Sequence, residues 1–310
     1  MTAAANSVWP ALPLAEWQDT YATLHMWTQI VGKTRLALAP MENHWWQVAL
    51  YITPRGLTTS PMPHGDRTLA VDFDFIEHAL WVRAQDGVTR RLALAPRSVA
   101  DFYGEYMAVL RSIGLDVKLR PVPVEVQTAI PFADDSEHTA YDRDAAHRWW
   151  QILLQTHHVL KRFRGRFLGK ASPVHFFWGS FDLAATRFSA RRAPQHGGGA
   201  PNCPDYVMIE AYSHECSSCG FWPGAGPVGE PAFYAYAYPE PAGYADCAVR
   251  PQGAYYHSEM REFVLPYEVV RNAGGPGEAL LDFAQSTYEA AAKCGNWDGA
   301  ALDRPRAEWP

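Results

Sequence analysis

Residues 174–192, VHFFWGSFDLAATRFSARR, set His175, Ser180, Asp182 and Arg187 into a run that is otherwise almost wholly apolar. Read as one strand of period two, the run places His175, Phe177, Gly179, Phe181, Leu183 and Arg187 on one face. Phe176, Trp178, Ser180, Asp182, Ala184 and Phe188 take the other. Both faces are apolar enough to be covered, and a carboxylate so enclosed needs a partner or a raised pKa. A second cluster, VMIEAYSHECSSCGFWPG at 207–224, puts Glu210, Tyr212 and His214 on one strand face. Glu210 and His214 then stand about 13 Å apart by strand rise, too far to share one ion but able to line one pocket.

Histidine with a carboxylate suits general acid–base chemistry, because imidazole titrates near neutrality and burial lifts a carboxyl toward it. His175, Asp182, Glu210 and His214 are therefore the candidate catalytic groups. Ser180, Trp178 and Tyr212 are candidate substrate contacts, and Arg187 offers a fork for an anion. The competing reading makes each of them a core polar group bonded to backbone, with Asp182 and Ser180 fixing strand register.

Cys216 and Cys219 form a C-x-x-C that Cys203, Cys247 or His214 would have to complete as a metal site. Structural zinc draws on two tight ligand pairs and the sequence supplies one, so no metal is assigned, and the sequence leaves the cofactor unknown. Five cysteines, an odd number, do not describe a disulfide framework. Phosphate-loop, nucleophile-elbow and H-E-x-x-H patterns are absent from the sequence. The basic run KRFRGRFLGK at 161–170 would suit an anionic small molecule, or ion pairs with the acidic 134–144 segment.

These residues need elements to position them, and the chain reads as two related halves. WQDTYATLHMWTQIVGK from Trp17 aligns with WQILLQTHHVLKRFRGR from Trp150, matching Thr23 with Thr156 and His25 with His158. His44 then faces His175, and Glu77 faces Glu210. Helical spacing marks both opening segments. Strand-like segments follow at 44–53, 70–82 and 88–94, then at 174–188, 205–213, 231–238 and 262–270. Ser98 caps a closing helix that Gly114 ends, and Pro276 opens the last long helix, which stops at Gly295.

The fold class expected is α+β, two pseudo-repeats of helix, antiparallel strands and helix forming one pseudo-twofold unit. The halves are 1–119 and 146–310, with 120–145 as a linker, and the Pro- and Gly-rich stretches 192–204, 222–231 and 239–253 are long loops.

A formal charge of -6 gives no reason to expect nucleic acid. No apolar run is long enough for a membrane span, and the first residues lack the basic and apolar regions of a signal peptide, so a cytoplasmic protein is expected. Aromatic residues at 13% suit an aromatic-lined cavity.

SPVHFFWGSFDLAATRFSARRAP, YSHECSSCGFWPG, FYAYAYPEP and STYEAAAKCGNWD, with NHWW, RGLTT and IPF, resemble an uncharacterised bacterial family catalogued as a domain of unknown function. The resemblance runs over nearly the whole chain and implies no reaction, cofactor or catalytic residue. From the residues, the leading expectation is an enzyme acting by acid–base chemistry on a small, anionic, partly apolar molecule. A non-catalytic small-molecule binder and a structural or interaction protein are the alternatives.

Overall fold

In the computed structural model, which describes residues 8–224 and 227–309, helix α1 (Leu14–Leu38) is enclosed along most of its length. Trp17, Leu24, Trp27 and Ile30 are buried, and so are Thr23, Gln29, Lys33 and Thr34. A helix covered all round belongs at the centre of a fold, and α1 packs on both α2 (Val99–Ser112) and α3 (Arg143–Gly165). α2 starts where the sequence indicates, with the Ser98 hydroxyl accepting the Asp101 amide at 3.0 Å.

Between α1 and α2 run β1 (Tyr51–Thr53), β2 (Gly56–Thr58), β3 (Met62–His64), β4 (Arg67–Asp74), β5 (Ala79–Ala84) and β6 (Thr89–Ala93). They form one sheet in the order β1-β2-β4-β5-β6, with β3 also on β4. After α3 come β7 (His175–Phe177), β8 (Asp182–Arg192), α4 (Asp205–Ala211), β9 (His214–Trp222) and β10 (Ala232–Tyr238). The chain continues through β11 (Tyr255–His257), β12 (Glu262–Pro266), α5 (Tyr267–Arg271), α6 (Pro276–Cys294) and α7 (Gly299–Leu302). The second sheet runs β11-β12-β10-β9-β8-β7. Every pairing between these strands is antiparallel, so the fold is α+β. The sheets meet at one antiparallel bridge, where Leu50 and Phe176 exchange two N–H···O bonds of 2.9 Å.

The strands of the second sheet alternate strictly. Leu183, Ala185 and Arg187, with Cys219, Phe221, Phe233 and Ala235, are buried in the layer on which α3 and α6 pack. Burying each large apolar side chain there contributes about 1.5–3 kcal/mol. The opposite parity, Asp182, Ala184, Thr186, Ser218, Tyr234 and Tyr236, faces a cavity.

Several expectations need correction. Residues 174–188 are not one strand: Trp178–Phe181 form a turn, with Phe181 at φ 60°, and β7 folds back on β8. Phe177 therefore pairs with Asp182, and His175 with Ala184, which brings His175 to the face of Asp182. Residues 205–213 are not a strand but α4 and its cap, because Pro204 and Asp205 start a helix there. Residues 262–270 divide into β12 and α5, and much of 44–53 is a 3-10 turn, Asn43–Val48. α3 begins at Arg143, inside the segment read as linker, where the Asp142 carboxylate accepts the Ala145 amide at 2.8 Å.

Of the residues matched between the halves, Thr23 with Thr156 and His25 with His158 lie on the long helices α1 and α3, but the later pairs occupy unlike elements. His44 sits in the 3-10 turn at φ 60°, whereas His175 opens β7. Glu77 lies in the β4–β5 turn, ion-paired to Arg55 at 2.8 Å, whereas Glu210 lies in α4. The basic run pairs elsewhere than expected, Arg162 with Glu278 of α6 at 2.7 Å. Residues 1–7, part of the segment read as lacking a signal peptide, and 225–226 of the loop 222–231 lie outside the described residues.

Candidate active site

The cavity of about 360 Å³ has the second sheet as its floor. At its centre is Asp182, 6% exposed, with one carboxylate oxygen accepting from the Ser180 hydroxyl and the other from the Tyr234 hydroxyl. Tyr234 stands on β10 and Asp182 on β8, so the ring must cross β9 between them. It crosses at Gly220, where a Cβ would stand 2.5 Å from the Tyr234 hydroxyl. Beside this pair, Thr186 and Ser218 share a hydrogen bond of 3.0 Å, and Tyr212 and Tyr236 share one of 2.8 Å.

The roof is the 3-10 turn and α4. Its tie is His44, whose Nδ1 donates to the Ala211 carbonyl at 2.9 Å while Lys170 donates to its Nε2 at 2.7 Å. Those two bonds fix a neutral imidazole, and burial keeps its pKa below the usual value. Trp45, Trp46, Val207 and Met208 close the cavity from above.

Two further carboxylates enter, and the sequence did not mark either. Glu262, the first residue of β12, lines the cavity, and burial together with the charge of Asp182 pushes its pKa up to about 7. Glu125 comes from the crossing segment. Gln29 of α1 holds its neighbour Val124 with two bonds, donating to the carbonyl at 2.8 Å and accepting the amide at 2.9 Å. Glu125 itself has φ 58° and donates its amide to Pro201 at 2.7 Å. A non-glycine residue in this conformation persists only where its surroundings hold it, a pattern typical of functional positions. Its carboxylate occupies the space that a Cβ at Gly179 would need, and the His25 ring donates to the Gly179 carbonyl at 2.8 Å to hold that turn. Glu125 borders open cavity and so keeps accessible surface. Protein atoms still crowd it, and burial with the Asp182 charge lifts its pKa to about 7. For Asp182, burial outweighs its two hydrogen bonds and holds it above the ordinary carboxylate range.

A second cavity, about 470 Å³, adjoins the first and shares Trp45, Val48, Glu125, Phe177 and Val207 with it. Glu125 stands at the neck.

Of the residues singled out from sequence, Ser180, Asp182 and Tyr212 line the first cavity. Trp178 lines the second, its indole N–H donating to the Val48 carbonyl at 2.8 Å. His175 is fully buried next to Tyr51 and Trp46, and burial drives its pKa down to about 3. His214 stacks edge-on to His44 at 5.6 Å, and neither it nor Glu210 borders the cavities. Arg187 points the other way, between the Phe163 and Tyr288 rings at 3.5 and 4.3 Å, donating to the Phe163 carbonyl. Its guanidinium borders neither cavity. Cys216 faces the cavity and Cys219 the helix layer, so strand parity keeps the C-x-x-C from acting as a chelating pair. Among the described residues, no group of three or more His, Cys, Asp or Glu is placed to hold a metal ion.

The aromatic, carboxylate-lined cavity is built on an α+β scaffold. Residues 9–304 match the family of unknown function DUF5996, and the chain belongs to that family. No curated protein and no solved structure matches it. No helix among the described residues is long and apolar enough to cross a membrane.

Proposed function

We propose that this protein is an enzyme that moves protons to and from a small, partly apolar molecule bound between the two cavities. The observation that carries the reading is the carboxylate set: Asp182 held by two hydroxyl donors, with Glu125 and Glu262 both lifted to about 7 around it. Groups with pKa values near the working pH are the effective general acids and bases. In this reading Glu125, at the neck, is the group that takes and returns the proton. Asp182 and Tyr234 orient the reacting group, and Glu262 holds a second proton nearby. The aromatic walls exclude water and hold an apolar body. The reading keeps an anionic ligand, a cytoplasmic setting and no nucleic-acid partner, and it moves the anion away from Arg187.

The mainly apolar lining favours one other reading, a protein that binds without converting. The test is a metabolite extract incubated with the wild type and with Glu125→Gln, followed by native mass spectrometry and analysis of the supernatant. An enzyme depletes one metabolite and accumulates its product, and Glu125→Gln binds that metabolite without converting it. Binding by both proteins with no conversion by either would establish the binder instead.

A further inference from the structure

Lys33 is 4% exposed, lies on the central helix and lines the second cavity. The Trp178 ring stands 5.6 Å from its ammonium, and Arg120 and the Cys203 thiol are near enough to act on its charge. It makes no hydrogen bond and no ion pair with any described residue. A buried ammonium left without a counter-charge is costly, and proteins rarely keep one without use. Lys118 and Arg120 border the same cavity, are exposed, and likewise lack an acidic partner among the described residues. The remaining walls are largely apolar, with Val48, Leu119, Val124 and Phe177 among them.

We infer that this second cavity is an anion subsite in which Lys33 receives the carboxylate of an organic acid with an apolar body, and Lys118 and Arg120 guide it in. A carboxylate fits better than phosphate: one buried ammonium matches one negative charge, and a dianion would leave charge unpaired against apolar walls. Burial, reinforced by Arg120 beside it, lowers the Lys33 pKa to about 8, the strain expected of a cation awaiting its partner. Glu125 at the neck repels a second carboxylate, so the acid enters in one orientation. Its far end then lies in the first cavity, against Asp182 and Tyr234. Joined to the proposed acid–base chemistry, on which only this last step rests, the substrate class is a carboxylic acid whose opposite end carries a hydroxyl or amine.

Calorimetric titration with phenylacetate, phenylacetamide and inorganic phosphate tests the subsite. Phenylacetate should bind the wild type, and the amide about tenfold or more weakly, the loss expected for one charge-assisted bond. Lys33→Met and Lys33→Gln should lose phenylacetate affinity by a similar factor. Lys33→Met should also melt higher than wild type, since an unpaired buried charge is removed. Arg162→Ala, which borders neither cavity, should bind phenylacetate as the wild type does, and because phenylacetate carries no hydroxyl or amine for the first cavity, a failure of the proposed chemistry leaves this result standing. Equal affinity for phenylacetate and its amide would overturn the subsite, as would unchanged binding by both Lys33 variants. Phosphate binding tighter than phenylacetate would overturn the choice of carboxylate. Borohydride trapping of benzaldehyde on Lys33 in the wild type would show a nucleophilic amine in place of a charge holder.

Discussion

The hydroxyl of Tyr234 reaches the carboxylate of Asp182 across two strand spacings, over the one residue of β9 at that level without a side chain, Gly220. Neighbouring strands lie about 4.8 Å apart, so a ring laid across the sheet covers that span only when nothing rises beneath it.

Gly220→Ala should therefore break the contact. The added methyl would stand 2.5 Å from the Tyr234 hydroxyl and 2.6 Å from the Leu183 carbonyl, and the second of these is backbone that cannot swing away. The variant should melt well below wild type. Tyr234→Phe is the milder probe: Asp182 keeps only Ser180 as a side-chain donor, and a buried acceptor losing a partner costs about 1–3 kcal/mol. The Asp182 pKa should rise further, because the Tyr234 bond now lowers it. Carbon-detected NMR of the carboxyl reads this, and an unchanged titration would remove Tyr234 from the site.

At Gly179 the outcome should differ. A methyl there meets the far end of the Glu125 side chain, which can move aside. Gly179→Ala should fold with stability within about 1 kcal/mol of wild type, since no core packing is lost. It should nevertheless displace Glu125 and abolish conversion of whatever metabolite the wild type consumes. Retained conversion in a folded Gly179→Ala protein would show that the position of Glu125 does not matter.

Glu262→Gln should stabilise the protein, and only on one side of a pH window. The carboxyl titrates at about 7 when folded, against an ordinary 4.5. Below 4.5 it is protonated in both states and contributes no difference. Between 4.5 and 7 the unfolded chain ionises first, so the folded state loses ground as pH rises, and the full cost is reached above 7. The substitution should raise the melting temperature at pH 8, by a free energy on the order of 2 kcal/mol, and leave it nearly unchanged at pH 4. Equal shifts at both pH values would contradict the raised pKa.

Arg187→Ala should separate stability from binding. It removes a fully buried side chain from between the Phe163 and Tyr288 rings, and large-to-small changes in a core cost about 2–5 kcal/mol. Because the guanidinium faces away from both cavities, phenylacetate binding should match the wild type at temperatures where the variant is folded.

Periodicity and capping made the long helices and the antiparallel strands readable, because α2, α3 and α6 bury one face each and start at recognisable residues. α4 reads as a strand from its sequence because DYVMIEA is rich in residues that suit strands, and seven residues hold too few turns to show helical spacing. The β7–β8 turn escaped notice because Phe181 takes a left-handed conformation that bulky residues rarely adopt. Asp182 was legible as an acid in an apolar strand, whereas Glu125 was not. It sits in a proline-rich crossing with no period, and its position is set by Gln29, through Val124, and by Gly179, far away in sequence. The tyrosines did leave a signal: FYAYAY alternates large with small, as a strand does when one face lies flat on a helix and the other projects.

The grip of Gln29 on Val124 bears on modularity. The residue it positions is needed by a cavity whose floor is built from β8, β9, β10 and β12, while the grip comes from the first helix of the chain. Residues 146–310 alone would carry the floor without Glu125, Trp45 or His44. Neither half can be exchanged, shuffled or inherited separately with the site intact, so substitutions in α1 at Gln29 and in the cavity at Glu125 are expected to behave as one unit.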